Sequence, residues 1–367
     1  MVNTINRTTY DSCGYKGQLG EISAKLSELR AKNIDAKLSD VVKKTLNMDM
    51  LGFYQGMGID PSSATIKNLM ELPDVSVRFL VPEMIMDALR LGLRRAPIWP
   101  NIIAGEQPVS QTTVVMPHID MADSAPRYVG EAESIPIGDI SYGQKTVKIH
   151  KIGRGIKISY EVREYVAINM VSVFLQDMGF KLGHALDTLA IDTLINGDQT
   201  DGSESAAVVG IGVPTAMEYE DLLRVWLRMG RIGRTPDFII GGETMAINTL
   251  MLEEFKQRYQ GTTDKTLEVI TPIPQRASYA IHGAVPANQQ IVIDSQSALI
   301  KLNAKPLMVE SERIVSNQTE ATYASLTTGF ANIFRDGRVI MDQSLDFASN
   351  GFPAFMDVDA FETVEIK

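Results

Sequence analysis

Residues 128–165 read YVGEAESIPIGDISYGQKTVKIHKIGRGIKISYEVREY. Gly130, Pro136 and Gly138 break the first part into an extended segment with an irregular tip. From Tyr142 to Ser159 apolar and polar residues alternate, which predicts one returning strand. Val147, Ile149 and Lys151 fall on one side of it, and Lys148, His150 and Ile152 on the other. The charges are segregated along this arm. Glu131, Glu133 and Asp139 crowd the turn without a lysine nearby, whereas Lys145, Lys148, Lys151, Arg154 and Lys157 follow on the stem. An acidic tip and a basic stem suit pairing between neighbouring copies, and solvated charges give the same pattern.

Upstream, Thr112 to Met116 is β-branched and extended, so 105–158 reads as strand, long loop, strand. A two-stranded ribbon is marginal alone, so this arm is expected to lie against another subunit. Downstream, Ser159 to Asn196 carries the longest helical pattern, about 57 Å at 1.5 Å per residue. Val162, Val166, Met170, Phe174, Met178, Leu182, Leu186, Ala190 and Leu194 recur every fourth position, widened by Val171, Leu175, Ala185 and Leu189. Asn196-Gly197-Asp198 is a stop signal. Gly179 and Gly183 are expected to bend or weaken the helix.

Farther out, residues 1–72 form a charged, helical zone. Its apolar stripe comprises Ile22, Leu26, Leu29, Ile34, Leu38, Val41, Val42 and Leu46, and Gly52, Gly56, Gly58 and Pro61 then loosen the chain. A helix is expected from Pro82 to Arg95, with Ile85, Leu89 and Leu93 on one face. Residues 206–300 read as a mixed α/β unit. It holds a helix from Ala216 capped by Thr215 and Glu218, strands at Phe238–Ile240 and Ile291–Ile293, and a helix after Gly241-Gly242. The remainder is β: Leu299–Leu302, Leu307–Val309, Thr322–Phe334 and Arg338–Asp342, the last two joined by Asp336-Gly337. The tail from Asp346 is acidic and irregular.

The chain has 367 residues and a formal net charge of −10, which disfavours coating of nucleic acid. Cys13 is the only cysteine, so no intramolecular disulfide and no cysteine-based zinc site is expected. Met1–Gly20 lacks the apolar core of a secretory signal, and no run approaches a membrane span. None of the 4 histidines lies in an H-E-x-x-H pattern, and His184 is read as structural or surface. His118, Asp120 and Asp123 have a spacing able to hold a divalent cation, although a solvated loop is the preferred reading. Gly241-Gly242 and Gly153-Arg154-Gly155 do not match phosphate-binding fingerprints, and no G-x-S-x-G elbow is present. No catalytic residue, cofactor site or metal site is therefore assigned.

The 128–165 stretch, running straight into a long helix, resembles the E-loop and spine helix of tailed-phage (Caudoviricetes) major capsid proteins of the Hong Kong 97 type. The 206–300 unit resembles their axial domain, and FANIFRDGRV at 330–339 resembles the closing strands of their peripheral domain. The resemblance implies an α+β fold. Residues 1–104 would be an N-terminal arm with amphipathic helices and 105–158 the E-loop. Residues 159–205 and 300–345 would be the peripheral domain, 206–299 the axial domain and 346–367 a tail. It further implies a non-enzymatic major capsid protein forming hexamers and pentamers of an icosahedral head around double-stranded DNA, without sequence-specific contact or membrane. Portal and scaffolding or decoration proteins would be partners, and assembly would take place in the host bacterial cytoplasm.

The contacts between subunits are assigned to Glu131, Glu133 and Asp139 at the arm's turn and to Lys148, Lys151, Arg154 and Lys157 on its stem. Members that weld subunits through an E-loop lysine differ from this chain, which has no lysine between Lys67 and Lys145, so no cross-link is expected at the tip. Residues 1–72 are expected to be a retained arm rather than a removed scaffolding segment. The alternatives are a nanocompartment shell similar to encapsulins and a soluble enzyme using the 206–299 unit.

Overall fold

A computed structural model describes residues 16–31, 38–56, 80–95, 97–110, 113–119, 140–166, 168–198, 205–254 and 277–356. In chain order its helices and strands are α1 (Lys16–Ala31), α2 (Leu38–Leu46), α3 (Met50–Gly56), α4 (Leu80–Leu93), β1 (Ile103–Pro108), β2 (Thr113–Ile119), β3 (Ile140–Lys148) and β4 (His150–Ser159). There follow α5 (Tyr160–Tyr165), α6 (Ile168–Asn196), β5 (Ala207–Ile211), α7 (Tyr219–Arg231), β6 (Phe238–Gly241) and α8 (Glu243–Met251). The chain continues through β7 (Ser278–Ile281), β8 (Gln289–Ile293), β9 (Leu299–Ile314), β10 (Thr319–Asn332) and β11 (Arg338–Asp346). Two compact units result: Met1–Pro97 with Lys151–Ala185 and Lys305–Thr327, and Ile98–His150 with Leu186–Ala304 and Thr328–Lys367. Among the described residues no helix is long and apolar enough to cross a membrane.

In the first unit α1 packs on α2, and α2 on α3 and α4. Ile22, Leu26, Leu38, Val41 and Val42 of the stripe read in the sequence are buried, as is Phe53; Ile34 lies outside the described residues. Gly52 and Gly56 lie inside α3 rather than loosening the chain. A second cluster joins Leu89 of α4, Met178 and Leu182 of α6, and Ala324 of β10. Ile85, Leu93, Ile152, Ile156, Leu307 and Val309 pack around it.

The spine pattern is divided. Ser159 Oγ accepts the N–H of Val162 (3.3 Å) and starts α5, but Val166 is extended (φ −92°, ψ 132°) and α6 begins anew at Ile168. A β-branched valine adopts extended backbone readily. The stripe also turns: a four-residue step advances about 40° per repeat, so nine such positions cannot share one face. Val171 and Leu175 are buried in place of Met170 and Phe174, which are exposed together with Val173.

Gly179 lies inside one continuous helix, at a close crossing. A Cβ there would overlap the carbonyl oxygen of Leu89, and one on Gly92 of α4 would overlap that of Gln176 in α6. The two glycines face each other's backbones, so the helices approach more closely than side chains allow.

The second unit is built on a five-stranded sheet in the order β5-β11-β8-β6-β7. β11 pairs parallel with β5 and antiparallel with β8; β6 pairs antiparallel with β8 and parallel with β7. One core cluster joins Val209, Ile239, Val292 and Met341 to Leu222, Val225, Trp226 and Met229 of α7 and Met245 of α8. The other joins Ile240, Ile291, Ile293 and Ile340 to Ala190, Ile191 and Leu194 of α6. Alternate residues of β6, β8 and β11 thus point into different cores, whereas β5 feeds only the first and leaves Val208 exposed. β5 and β7 had no strand signal in the sequence reading, being short and paired only by tertiary contact.

The cap of α7 is not Thr215, which has φ 69° and donates its N–H to the carbonyl of Gln343 (2.8 Å). Glu218 is the N-cap; Asp221 accepts its N–H at 3.1 Å and that of Gly212 at 2.9 Å. β9 is one strand of 16 residues rather than two. Among the described residues β1 pairs with it only as far as Asn303, so Pro306 lies beyond that ladder. The Asp336-Gly337 turn is present, with Asp336 buried and held by both Nε and Nη2 of Arg234 (3.0 and 2.9 Å). The tail, irregular except for a 3-10 turn at Ala354–Met356, is anchored by rings: Arg224 lies over Phe347, Arg228 over Phe352 and Arg335 over Phe355, at 5.0, 5.3 and 4.4 Å.

Candidate assembly surfaces

The arm is a ribbon of β2 and β3. Thr113 to Met116 face Lys148 to Lys145, then a register shift at Met116/Pro117 brings Pro117 opposite Tyr142. Tyr142–Ser159 is not one strand: it breaks at Ile149, and β4 belongs to the first unit from Lys151 onward. Glu131, Glu133 and Asp139 lie outside the described residues, as do Cys13, Asp120 and Asp123.

Lys148, Lys151, Arg154 and Lys157 are all exposed. β4 is an edge strand beside β10, and its alternation separates the cations. Lys151 and Lys157 share the face of Gly153 and Gly155, where a Cβ at Gly155 would meet the Tyr323 ring and one at Gly153 would lie 3.1 Å from Cβ of Ser325. Arg154 is on the face of Ile152 and Ile156. These glycines therefore serve close packing across strands, and the lysines charge a strand that, among the described residues, is an edge.

In the second unit Lys148 and His150 border a cavity of about 180 Å³ shared with Asp192, Thr193, Asp198 and Phe330. Both carboxylates have protein donors: Asp192 accepts the amide of Asn196 (2.7 Å) and Asp198 the N–H of Asn332 (2.8 Å).

The segment leading into β1, and β1 itself, are tied down. Buried Asp187 of α6 accepts the N–H groups of Ile98 and Trp99 through Oδ1, at 2.9 and 2.8 Å. Lys301 stands 3.7 Å from the Trp99 ring centroid and 3.2 Å from Glu106.

The α6 C-terminus is closed by side chains. Fully buried Arg338 donates from Nε to the Leu194 carbonyl (2.7 Å), and Asn332 donates to that of Thr193 (3.3 Å). The N–H of Ala206 reaches the Ile195 carbonyl (3.1 Å). Carbonyls that a helix end leaves open are thus filled from β10, β11 and the segment before β5.

The polar groups of the five-stranded sheet are similarly committed. Buried Thr249 donates to Gln290 (3.1 Å), and burial raises the Tyr279 hydroxyl to about 12. Burial opposes ionisation of Asp342, but hydrogen bonds from Ser344 and Gln289 outweigh it and hold the carboxyl below its usual value. Gly241 lies under Tyr279, and a Cβ on Gly242 would overlap the carbonyl of Pro286, so this pair serves packing.

Residues 143–294, from the ribbon's return through α6 to β8, match the model of a family described as phage capsid protein. A chain of Microbacterium phage Oxtober96 superposes with a TM-score of 0.50 at 11% identity, over 67% of this chain and 90% of that one. The fold is that of a Hong Kong 97-type phage capsid protein. A virus-like particle from Pyrococcus furiosus gives a TM-score of 0.47 at 11% identity, over 71% and 98% of the two chains. An encapsulin complex from Synechococcus elongatus gives 0.46 at 11%, over 68% and 88%. Among curated proteins none matches this chain.

Proposed function

We propose that this capsid-type protein is the major capsid protein of a tailed phage, assembling as hexamers and pentamers into an icosahedral head around double-stranded DNA. The observation that carries the reading is the phage capsid family match itself. It falls on the ribbon's return, the long helix and most of the five-stranded sheet, the elements whose fold is of that type. A net charge of −10 supports it, because an acidic wall does not retain the packaged polyanion. In this reading the ribbon is the E-loop, α6 the spine helix and the five-stranded sheet the axial domain, with portal, scaffolding or decoration proteins as further partners. Lys148, Lys151, Arg154 and Lys157 receive Glu131, Glu133 and Asp139 of the adjoining subunit, a reading supported by the exposure of all four cations.

The test is negative-stain electron microscopy of the protein expressed alone and with its phage's scaffold and portal, beside light scattering. Shells or capsomer rings are expected. Particles packed with cargo enzyme in place of nucleic acid would transfer the protein to the nanocompartments, and a persistent monomer under all conditions would remove the shell reading.

A further inference from the structure

Helix α8 is apolar on both sides. Met245, Ala246 and Thr249 are buried, yet Ile247, Leu250 and Met251, at i, i+3 and i+4, are 52, 46 and 57% exposed. Three large apolar side chains in one helical stripe are more than the scattered hydrophobics of an ordinary surface. Exposed Glu243 precedes the stripe, and exposed Glu253 and Glu254 follow it.

Helix α7, packed on the same core cluster, carries the complementary arrangement. Opposite its buried Leu222, Val225, Trp226 and Met229 stands Leu227, 62% exposed, with exposed Arg231 one turn on. Arg224 is paired with Glu220, and Arg228 lies over Phe352, so Arg231 is the outward cation of this helix. Among the described residues neither Arg231 nor Glu253 nor Glu254 has an ion-pair partner.

We infer that the outer face of α8 is an assembly surface whose occupant is the outer face of α7 on a second copy of this chain. Leu227 seats among Ile247, Leu250 and Met251, and Arg231 faces Glu253 and Glu254. The inference rests on the shell reading and deepens it by naming mating patches within a ring. Two different patches on one subunit make a head-to-tail contact, and such contacts close into rings when the rotation permits. The apolar centre supplies the attraction, and the charged rim excludes the like-charged alignment of α8 on α8.

The test is disulfide trapping in a Cys13→Ser background, which leaves no native thiol. Leu227→Cys with Met251→Cys, assembled and mildly oxidised, is expected to give a covalent ladder on non-reducing denaturing gels ending at the ring size. Each single-cysteine variant is expected to stay monomeric on the gel. Particles that form without a ladder would overturn the α7–α8 pairing while leaving the shell reading intact. Dimers from Met251→Cys alone would overturn it in favour of a two-fold contact. Absence of any ring or shell from the native sequence would remove both readings. A second arm avoids the apolar positions: Arg231→Glu is expected to slow assembly at least tenfold, with Glu253→Arg and Glu254→Arg restoring it in the same chain. Failure of that rescue would also overturn the proposal.

Discussion

The two stretches of α6 that lie in different units are secured by different physics. Within the first unit, Val171 to Gly183 relies on shape: Met178 and Leu182 enter an apolar cluster, and Gly179 admits the backbone of α4. Within the second unit, Asp187 to Asn196 adds polar closure to apolar packing. Asp187 holds two backbone N–H groups, and Arg338 and Asn332 fill the terminal carbonyls. Shape tolerates no added atom but demands no particular chemistry. Polar closure demands named donors and acceptors, because a buried group left open loses its hydration without replacement.

The largest effect in this comparison is expected from Arg338→Met. It leaves the Leu194 carbonyl without its charged donor in a buried site and should cost about 3 kcal/mol, read by urea unfolding of the soluble subunit. A loss below about 1 kcal/mol would show that this helix end is held by packing alone. Next is Gly179→Val, which pushes α4 away from α6 and should cost about 2 kcal/mol. Gly179→Ala is expected to be milder but still destabilising, in spite of alanine's higher helix propensity. A stabilising alanine would sink the close-crossing account.

Asp187→Ala should cost about 1–2 kcal/mol, comparable to loss of a helix cap, and should speed hydrogen exchange at Ile98 and Trp99. Unchanged exchange at those amides would show that Asp187 does not hold the segment before β1. The smallest effect on folding belongs to Lys151→Glu with Lys157→Glu. On an exposed edge strand they are expected to change stability by under about 0.5 kcal/mol. Assembly yield should nonetheless fall, and normal particle yield would dissolve the charge-pairing reading of the stem.

The ribbon, the long helix and the succession of an α/β unit by β-strands were legible because each rests on local pattern. The β-branched run Thr112–Met116, four-residue recurrence after Ser159, and Asn196-Gly197 as a stop need no distant partner to be read. The cations of the stem were legible as charge and, by alternation, as belonging to opposite faces, but the break at Ile149 that puts Lys148 on a different strand from the other three was not. The outer stripe of α8 was missed because Ile247, Leu250 and Met251 look like core until the opposite face is seen to be the buried one.

The sequence by itself determined element type, order and charge placement, because backbone preference and side-chain period act over a few residues. Tertiary structure alone decided which apolar stripe of α6 goes inside, that Gly179 is a contact, and that Pro306 sits within a continuous strand. It also assigned Arg338 to a helix end 144 residues away in sequence. Each of those outcomes depends on what a distant segment places beside the residue, and burial and hydrogen-bond satisfaction are properties of that neighbour as much as of the residue itself.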